Sequence, residues 1–511
     1  MKIVILDDSK TFLKYIQKLL KKTGFTKEVT VFDNCSDFFS FINENKNIDV
    51  VFIDYHLKNK NGFEILQTIK PLIPHAYKVL ITSDSDPQLK EKALDIGFDT
   101  FVSKEISLMD FQALLKTIYR LRKYINEEIQ KQEKFQKILE YKEYQEKLIQ
   151  QKQNKIMKNE LEMFFDENYL FETYFSPKDL LTGDTIYTKK LSNDSYFASV
   201  IDAMGKGLSA SLTSFNSLSF LKHSIKKAID YNDFNFKKLV TDFVNYVQTI
   251  LLDNEILCAT LIYIEKNTVY YSNFGNPPIL NNTEIIKANN FPIRLQCCEI
   301  KIDSFPFNKK VLIASDGIFE SPYQNTIYYK RLKKLYPEIS FIKELSDDFK
   351  KNSKQTDDIC MVNILKEKNF TEKLFEDSIA LTQESIDNFL KKLYIQSIPK
   401  IEHIHYILHE ILTNTYEHGI LKIDNKENEK IRKKIKKIDK NELFFAKIYI
   451  TKNDKYIKIE YSDTTEGFDV QTIKDAYYKK YHGRGIKIIK HLSEGLFFNE
   501  KGTAIKIFLK V

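Results

Sequence analysis

Four acidic signals recur between residues 166 and 367: Gly183-Asp184, Asp202-Ala203-Met204-Gly205-Lys206-Gly207, Ser315-Asp316-Gly317 and Asp357-Asp358-Ile359. Most adjoin a short apolar run: Phe197–Ile201 before Asp202, Val311–Ala314 before Asp316, and Ile359–Leu365 after Asp358. One Asp-Gly pair is an ordinary turn. Four such signals in one region point to an oxygen-ligand site for hard divalent cations that keeps water positions open. Two such ions, about 3.5–4 Å apart, can deprotonate a bridging water and clamp a phosphoryl group for in-line displacement.

A second acidic set lies near residue 1. The apolar run Ile3–Leu6 leads into Asp7-Asp8, Val50–Ile53 ends in Asp54, a third run ends in Thr82-Ser83, and Phe101-Val102-Ser103 leads into Lys104. Continuous apolar runs are the mark of parallel strands buried on both faces. Phe12, Ile16, Leu19 and Leu20 give a helix between the first two runs an apolar stripe. This is doubly wound α/β patterning, in which the strand ends meet at one crevice. Clustered carboxylates there can hold Mg2+. An aspartate beside the ion can attack a phosphoryl donor, with the lysine and hydroxyl holding the new oxygens.

A third set sits on a helix predicted over Ile401–His418, where Glu410, Asn414 and His418 share one face by their spacing of four. A solvated polar stripe is the alternative for that face alone. Two further signals accompany it. Asp463-Thr464-Thr465-Glu466-Gly467 follows a strand predicted at Tyr456–Tyr461, and Gly483-Arg484-Gly485 opens an apolar helix, with Gly502-Thr503 before a last strand at Ala504–Val511. A glycine-flanked helix N-terminus is a ready anion site. An Asn can complete a Mg2+ shell, and a buried Asp can accept from an adenine amino group.

The elements that carry these sets divide the 511 residues into α/β modules. Residues 1–120 alternate strands and helices. Residues 121–165 lie in a stretch (about 118–163) without Gly or Pro, in which Ile118, Leu121, Ile125, Ile129, Phe135, Leu139, Tyr144 and Leu148 recur at steps of often three or four. That reads as a long helix, either a lone linker or a dimeric coiled coil. Residues 166–367 read as mixed α/β with many short strands, and 368–511 as α+β with a helix near Glu384–Tyr394 and a strand at Phe444–Thr451. No basic n-region with an apolar h-region opens the chain, and no apolar run reaches spanning length, so a cytoplasmic protein without membrane association is expected. The net charge of +8 owes much to Lys426–Lys440. That stretch reads as a solvated helix or loop, and no nucleic-acid-binding signature is present. The five cysteines, Cys35, Cys258, Cys297, Cys298 and Cys360, form no C-x-x-C pair, which argues against a zinc site or a disulfide framework. Cys258 and Cys360 lie in apolar strand-like runs and are expected in the core.

Residues 1–120 resemble the receiver domain of two-component response regulators. The resemblance implies Asp54 as the phosphorylated residue, Asp7 and Asp8 with it around Mg2+, Thr82 and Lys104 as switch residues, Phe101 as the aromatic switch, and a sensor histidine kinase as donor. Glu105 stands where that family usually has proline.

Residues 166–367 resemble the sporulation/stress (SpoIIE-like) branch of the metal-dependent PPM Ser/Thr phosphatases, an α/β sandwich with two Mn2+ or Mg2+. Asn273-Phe274-Gly275-Asn276-Pro277-Pro278 is similar to the branch's Asn-x-Gly-His-Pro-Pro loop. By this match Asp202 bridges both metals beside the Ala203 carbonyl, Asp184 serves one metal, and Asp316 and Asp357 serve the other with Asp358 nearby. Tyr187 replaces a frequent second acid, and Asn276 replaces the histidine. The implied substrate is a phosphorylated anti-sigma-factor antagonist.

Residues 368–511 look like the GHKL-type ATPase fold of the anti-sigma-factor Ser/Thr kinases, an α+β sandwich that binds ATP. The match gives Asn414 to Mg2+, Asp463 to adenine, and Gly467, Gly483, Arg484, Gly485 and Thr503 to the nucleotide, with Glu410 as kinase base. Thr465 replaces the first glycine of the Asp-x-Gly-x-Gly pattern. Together the modules imply a homodimer in which a receiver governs opposed phosphatase and kinase activities on one antagonist, with a sigma factor downstream. The competing class is a non-catalytic, receiver-controlled scaffold that sequesters a sigma factor or antagonist.

Overall fold

The computed structural model describes the chain except residues 25–27, 59, 85, 161–162, 297–298, 368–369, 421–443 and 468–483. It divides into two compact units, Met1–Glu143 and Tyr144–Val511.

The first unit is a parallel five-stranded sheet in the order β2-β1-β3-β4-β5. Its strands are β1 (Lys2–Leu6), β2 (Glu28–Phe32), β3 (Val50–Asp54), β4 (Tyr77–Thr82) and β5 (Thr100–Ser103). Every residue of β3 is buried, as its unbroken apolar sequence requires. Helices α1 (Lys10–Thr23), α2 (Cys35–Glu44), α3 (Gly62–Ile69) and α4 (Pro87–Ile96) lie between the strands. Each starts at a polar cap whose side chain accepts a backbone N–H of the first turn: Ser9, Asn34, Asn61 and Asp86. Helix α5 runs from Leu108 to Glu160, 53 residues. It starts well before the predicted linker at 121, because Phe111, Leu115 and Ile118 complete the sheet's core. Farther along, Phe135, Ile138, Tyr141 and Tyr144 are exposed.

The second unit begins with β6 (Met163–Phe165) and β7 (Leu170–Ser176), followed by β8 (Asp184–Ser192), β9 (Ser195–Ala203), α6 (Leu208–Asp230) and α7 (Phe236–Ile250). Strands β10 (Leu257–Glu265), β11 (Thr268–Phe274), β12 (Ile279–Asn281), β13 (Glu284–Ile286), β14 (Asp303–Pro306) and β15 (Lys310–Ala314) come next, then α8 (Asp316–Glu320). After the hairpin β16 (Pro322–Tyr323) and β17 (Thr326–Ile327) come α9 (Tyr329–Leu335), α10 (Ile342–Asn352) and β18 (Ile359–Leu365). The sheet β14-β11-β10-β9-β8 stacks on a second sheet that contains β12, β15, β18 and β7. Strand β9 shows the reason in its alternation. Tyr196, Ala198 and Val200 face the inter-sheet core, whereas Phe197, Ile201 and Ala203 face α6 and α7. Helices α9 and α10 cover the outer face of the second sheet.

The remaining elements are β19 (Glu372–Ala380), α11 (Gln383–Tyr394), α12 (Ile401–Asn414), β20 (Phe445–Lys452), β21 (Tyr456–Asp463), α13 (Arg484–Leu492), β22 (Gly495–Phe498) and β23 (Ala504–Lys510). The predicted helix Ile401–His418 is α-helical to Asn414 and closes in a π-helical turn, Thr415–Ile420. Three helices pack on one face of these strands around Leu393, Ile407, Leu408, Ile411 and Ile489.

The second sheet does not stop at residue 367. It runs β13-β12-β15-β18-β7-β6-β22-β23-β21-β20-β19, joined through β6, where Phe164 pairs with Phe498. A small core of Leu170, Phe341, Leu365, Tyr456, Phe497 and Phe508 seals the joint. Phe341 is its hub, with ring centroids 5.2 Å from Tyr456, 5.9 Å from Phe497 and 4.9 Å from Phe508. Around it, Tyr456 Oη donates to Glu344 Oε2 at 2.7 Å, and Glu367 pairs with Lys458 and Lys506. Burying an aromatic hub of this kind stabilises by about 3–5 kcal/mol. Phe341→Ala in the full chain is expected to lower the thermal midpoint and open the joint around Tyr456, Phe497 and Phe508 to protease, and scanning calorimetry with limited proteolysis checks it.

Candidate functional site

In the first unit, the strand ends bring Asp7, Asp8 and Asp54 together, with ligand atoms all within 4.8 Å of one another. Lys104 Nζ lies 2.8 Å from Asp7 Oδ2 and 3.0 Å from Asp54 Oδ2. Burial pushes the Asp54 carboxyl up to about 6, the Lys104 hydrogen bond opposes this, and Asp7 and Asp8 add to the rise. Asp54 Oδ1 is buried without a hydrogen-bond partner among the described residues, so the donor set fits a hard cation such as Mg2+. Thr82 ends β4, its Oγ1 accepting from the Asp84 amide at 2.9 Å. Phe101 lies in β5, half-buried under Lys90. Gly62 is required behind the pocket: a Cβ there would sit 2.7 Å from the Asp54 carbonyl.

In the second unit, Asp184 opens β8 and Asp202 lies near the end of β9, directly opposite each other in the antiparallel register. Directly opposite residues share a face, with Cβ atoms about 4.5–5.5 Å apart, and like charges there repel. Two glycines draw the other acids in. Gly317, next to Asp316, approaches the Asp357-Asp358 loop so closely that a Cβ would lie 1.9 Å from the Asp358 carbonyl. Gly183 likewise leaves room for the Ala203 carbonyl, 2.7 Å from where its Cβ would be. Asp202 is pushed up to about 7 by burial, then by Asp316 and Asp357. Asp316 is pushed up to about 6 by burial, then by Glu320 and Asp357. Asp184 is raised well above the carboxylate range by burial and by Asp202. Its Oδ2 is buried with no hydrogen-bond partner among the described residues. The donor chemistry of these acids suits divalent cations held through oxygen, but among the described residues only Asp7, Asp8 and Asp54 bring three ligand atoms within 4.8 Å of one another.

Asp358 differs from its neighbours. Its two oxygens accept from the backbone amides of Lys178 at 2.7 Å and Gly183 at 3.2 Å, so it ties two loops together. Asp357 is half-exposed, 3.9 Å from Lys206 Nζ, which also pairs with Asp179 at 3.2 Å. Asp202, Cys258, Asn276, Asp316, Phe319 and Glu320 line a cleft of about 250 Å3. The buried Asn276 donates through Nδ2 to the Val200 carbonyl at 3.1 Å.

Three of these residues were not anticipated from the sequence in any site role. Glu320 follows Asp316 by four on α8, a spacing that could have marked it. Lys206 lies inside a quoted motif but reaches its acids only through the fold. Cys258, expected in the core, instead borders the cleft. Burial and the neighbouring Asp202 and Asp316 push its thiol up to about 12. Cys360 is fully buried, as expected.

In the C-terminal strands and helices, Asp463, Thr465, Gly467 and Thr503 come together. Thr465 N and Oγ1 both donate to Asp463 Oδ1, at 2.9 and 2.5 Å. Gly467 has φ +79°, and a Cβ there would meet the Lys501 carbonyl at 2.1 Å and Thr503 at 2.9 Å. Thr465, in the place of the expected glycine, is not among the residues with positive φ. Glu410 lies against α13, with Oε2 2.1 Å from where a Gly485 Cβ would be. Asn414 is the last residue of α12. Gly483 lies outside the described residues, as do the side chains of Arg484 and His418. Among the described residues, no helix is long and apolar enough to cross a membrane.

The response regulator receiver domain family matches residues 3–116, and the Stage II sporulation protein E (SpoIIE) family matches residues 192–365. Of curated relatives, heme response regulator HssR of Staphylococcus epidermidis is 27% identical over 187 residues, 36% of this chain and 77% of its own length. Hybrid signal transduction histidine kinase C of Dictyostelium discoideum is 29% identical over 123 residues, 22% of this chain and 10% of its own. Of solved structures, the RsbU and RsbW domains of a Mycobacterium tuberculosis protein align over 67% of this chain and 94% of theirs, at 12% identity and a TM-score of 0.36. The phosphatase domain of SpoIIE from Bacillus subtilis, with a fragment of its regulatory domain, aligns over 40% of this chain and 66% of that one, at 19% identity and a TM-score of 0.34. The chain therefore carries a response-regulator receiver domain and a SpoIIE-type phosphatase domain of the PPM class, whose metals are Mn2+ or Mg2+. Gly317→Ala is expected to weaken Mn2+ binding at least about tenfold by driving Asp316 and Asp357 apart; titration calorimetry on the full chain with Asp7→Asn and Asp8→Asn, which silence the receiver's own cation pocket, measures it.

Proposed function

We propose that this receiver-bearing, SpoIIE-type phosphatase removes phosphate from a serine or threonine of an anti-sigma-factor antagonist. The observation that carries the chemistry is the register that sets Asp184 opposite Asp202, with Asp202 and Asp316 both lining one cleft. In this reading Asp202 lies between two metal positions with the Ala203 carbonyl beside it. Asp184 serves one position, Asp316 and Asp357 serve the other, and Asp358 holds the loop beneath. Two Mn2+ or Mg2+ ions, when bound, supply a water acidic enough to attack and charge to neutralise the phosphoryl oxygens. The carboxylates fix where that water stands, and Lys206 stays tied to Asp357 at the cleft's outer side.

The input is phosphorylation of Asp54 by a sensor histidine kinase, with Asp7 and Asp8 around Mg2+. Lys104 then exchanges its Asp54 contact for a phosphoryl oxygen, and Thr82 and Phe101 respond. Helix α5 runs from Leu108 to Glu160, and its exposed Phe135, Ile138 and Tyr141 support a homodimeric coiled coil that transmits the state. A change in phosphatase rate of about tenfold between the phosphorylated chain and Asp54→Asn is expected, read with a phosphorylated antagonist as substrate; equal rates sink this route.

The C-terminal module opposes the phosphatase as an ATP-dependent kinase of the same antagonist, so that a sigma factor is held or released downstream. Supporting this are α12 with Glu410 as base and Asn414 toward Mg2+, the grouping of Asp463, Gly467 and Thr503, and Gly485 beside Glu410, with Gly483 and Arg484 nearby in sequence. A second reading, a scaffold that binds antagonist or sigma factor without phosphorylating it, draws support from Thr465, whose N–H and hydroxyl both donate to Asp463 Oδ1. Asp202→Asn is expected to abolish dephosphorylation and spare phosphorylation, and Asn414→Ala to do the reverse; paired assays with radiolabelled ATP and prephosphorylated antagonist separate them.

A further inference from the structure

A cavity of about 650 Å3 lies between α10 and α13, over β7 and β22, where the phosphatase layer meets the C-terminal strands. It shares no residue with the cleft at Asp202 or with the candidate nucleotide-binding residues. Its volume is that of a small-molecule site. Lys343 and Lys350 line it from α10, and Lys487 and Lys490 from α13. Asp347 and Glu494 line it too, and Glu494 already has Lys343 Nζ at 4.0 Å. Phe175 and Leu496 supply apolar lining. Two buried polar side chains complete the wall. Ser493 is 1% exposed, and its Oγ has no hydrogen-bond partner among the described residues. Glu172 is 7% exposed, and the Ile342 amide and Asn363 Nδ2 donate to the same oxygen, Oε1, at 2.6 and 2.7 Å. Burial pushes the Glu172 carboxyl up to about 8; the Asn363 and Ile342 hydrogen bonds and Lys490 oppose the rise, and Glu344 adds to it. At neutral pH this acid keeps its proton, which belongs on Oε2 because Oε1 is already taken.

The wall therefore offers ammonium groups from two helices and two buried hydroxyl donors. Such a donor set calls for an acceptor-rich anion, and lysines are point-charge binders of phosphate. Glu172, which as a carboxylate would repel an anion, meets it as a neutral acid. We infer that this cavity binds a phosphorylated small molecule, with its phosphoryl oxygens taken by the lysines of α10 and α13 and by Ser493, and its less polar part over Phe175 and Leu496. The inference goes beyond the phosphatase and kinase readings and depends on neither. A ligand held there touches both layers at once. Helix α10 runs on toward the Asp357-Asp358 loop, and α13 begins against Glu410.

The probe is inorganic pyrophosphate, titrated calorimetrically into the full chain. Excess chelator keeps divalent cations away from the receiver pocket and the acids around Asp202, so neither can take up the probe through a metal. The wild-type chain is expected to bind pyrophosphate, and Lys350→Glu and Lys490→Glu each to bind it at least about tenfold more weakly. Lys350 is exposed, so its reversal spares the fold, which circular dichroism checks in each variant. Raising the pH from about 7 to about 9 ionises Glu172 and should weaken binding further in the wild-type chain than in Glu172→Gln, whose amide stays a neutral donor. Glu344, Lys343, Lys490, His491 and Tyr336, the other ionisable groups around Glu172, are common to both chains. A wild-type chain that binds no pyrophosphate overturns the inference. So does unchanged affinity in either lysine variant, which places the binding elsewhere in the chain, or the same pH dependence in Glu172→Gln.

Discussion

Repulsion between buried carboxylates is the constraint around which the phosphatase region is built. Asp184 and Asp202 face each other across one rung of a sheet, and Asp316 and Asp357 are drawn up beside them. Burial first, and the nearby Asp316 and Asp357 next, hold the Asp202 carboxyl above the usual carboxylate range. The fold resists relaxation by steric means. Gly317 and Gly183 let backbone carbonyls approach where any side chain would block them, and Asp358 fastens the two loops through backbone amides. Divalent positive charge bound there would relieve the repulsion. The receiver applies the same logic on a smaller scale, with Lys104 partly neutralising Asp7 and Asp54.

The region after residue 367 is attached by more than a peptide. Strand β6 lies between β7 and β22, Phe341 fills the joint, and Lys343 Nζ donates to the carbonyls of His491 and Ser493 at 2.7 and 2.6 Å. Those carbonyls close α13, whose first turn lies against Glu410. A short helix thus touches Glu410 of α12 at one end and Lys343 of the phosphatase layer at the other. A helix C-terminus carries partial negative charge, so a lysine there is favourably placed.

Much of this was legible in the sequence because its signals are local. An unbroken apolar run followed by Asp, as in Val50–Asp54, announces both a buried strand and the acid at its end. The apolar stripe of α1 and the aspartates beside apolar runs read the same way. What was not legible depends on register and distant packing. That Cys258 stands opposite Asp202 follows from strand pairing, which no single strand encodes. The sheet passing through β6 rests on Met163–Phe165, too short to announce itself. The long helix is expected from about residue 118, yet it starts at Leu108, because Phe111, Leu115 and Ile118 pack into the core of the receiver that ends near residue 120. Thr465 was legible as a departure from the glycine pattern, and its consequence, two hydrogen bonds onto Asp463, was not.

The shared sheet has a consequence for how such a chain could arise and be divided. A chain ending near residue 367 would leave β6 as an unpaired edge beside the uncovered Phe341 and Leu365, while the released half would bare β22 with Phe497 and Phe508. Both fragments would present the flat, apolar strand edges that invite intermolecular pairing. The boundary between the two modules is thus a seam only in the sequence. In three dimensions it is the interior of a sheet, and recombination or truncation there would trade two folded parts for two adhesive ones.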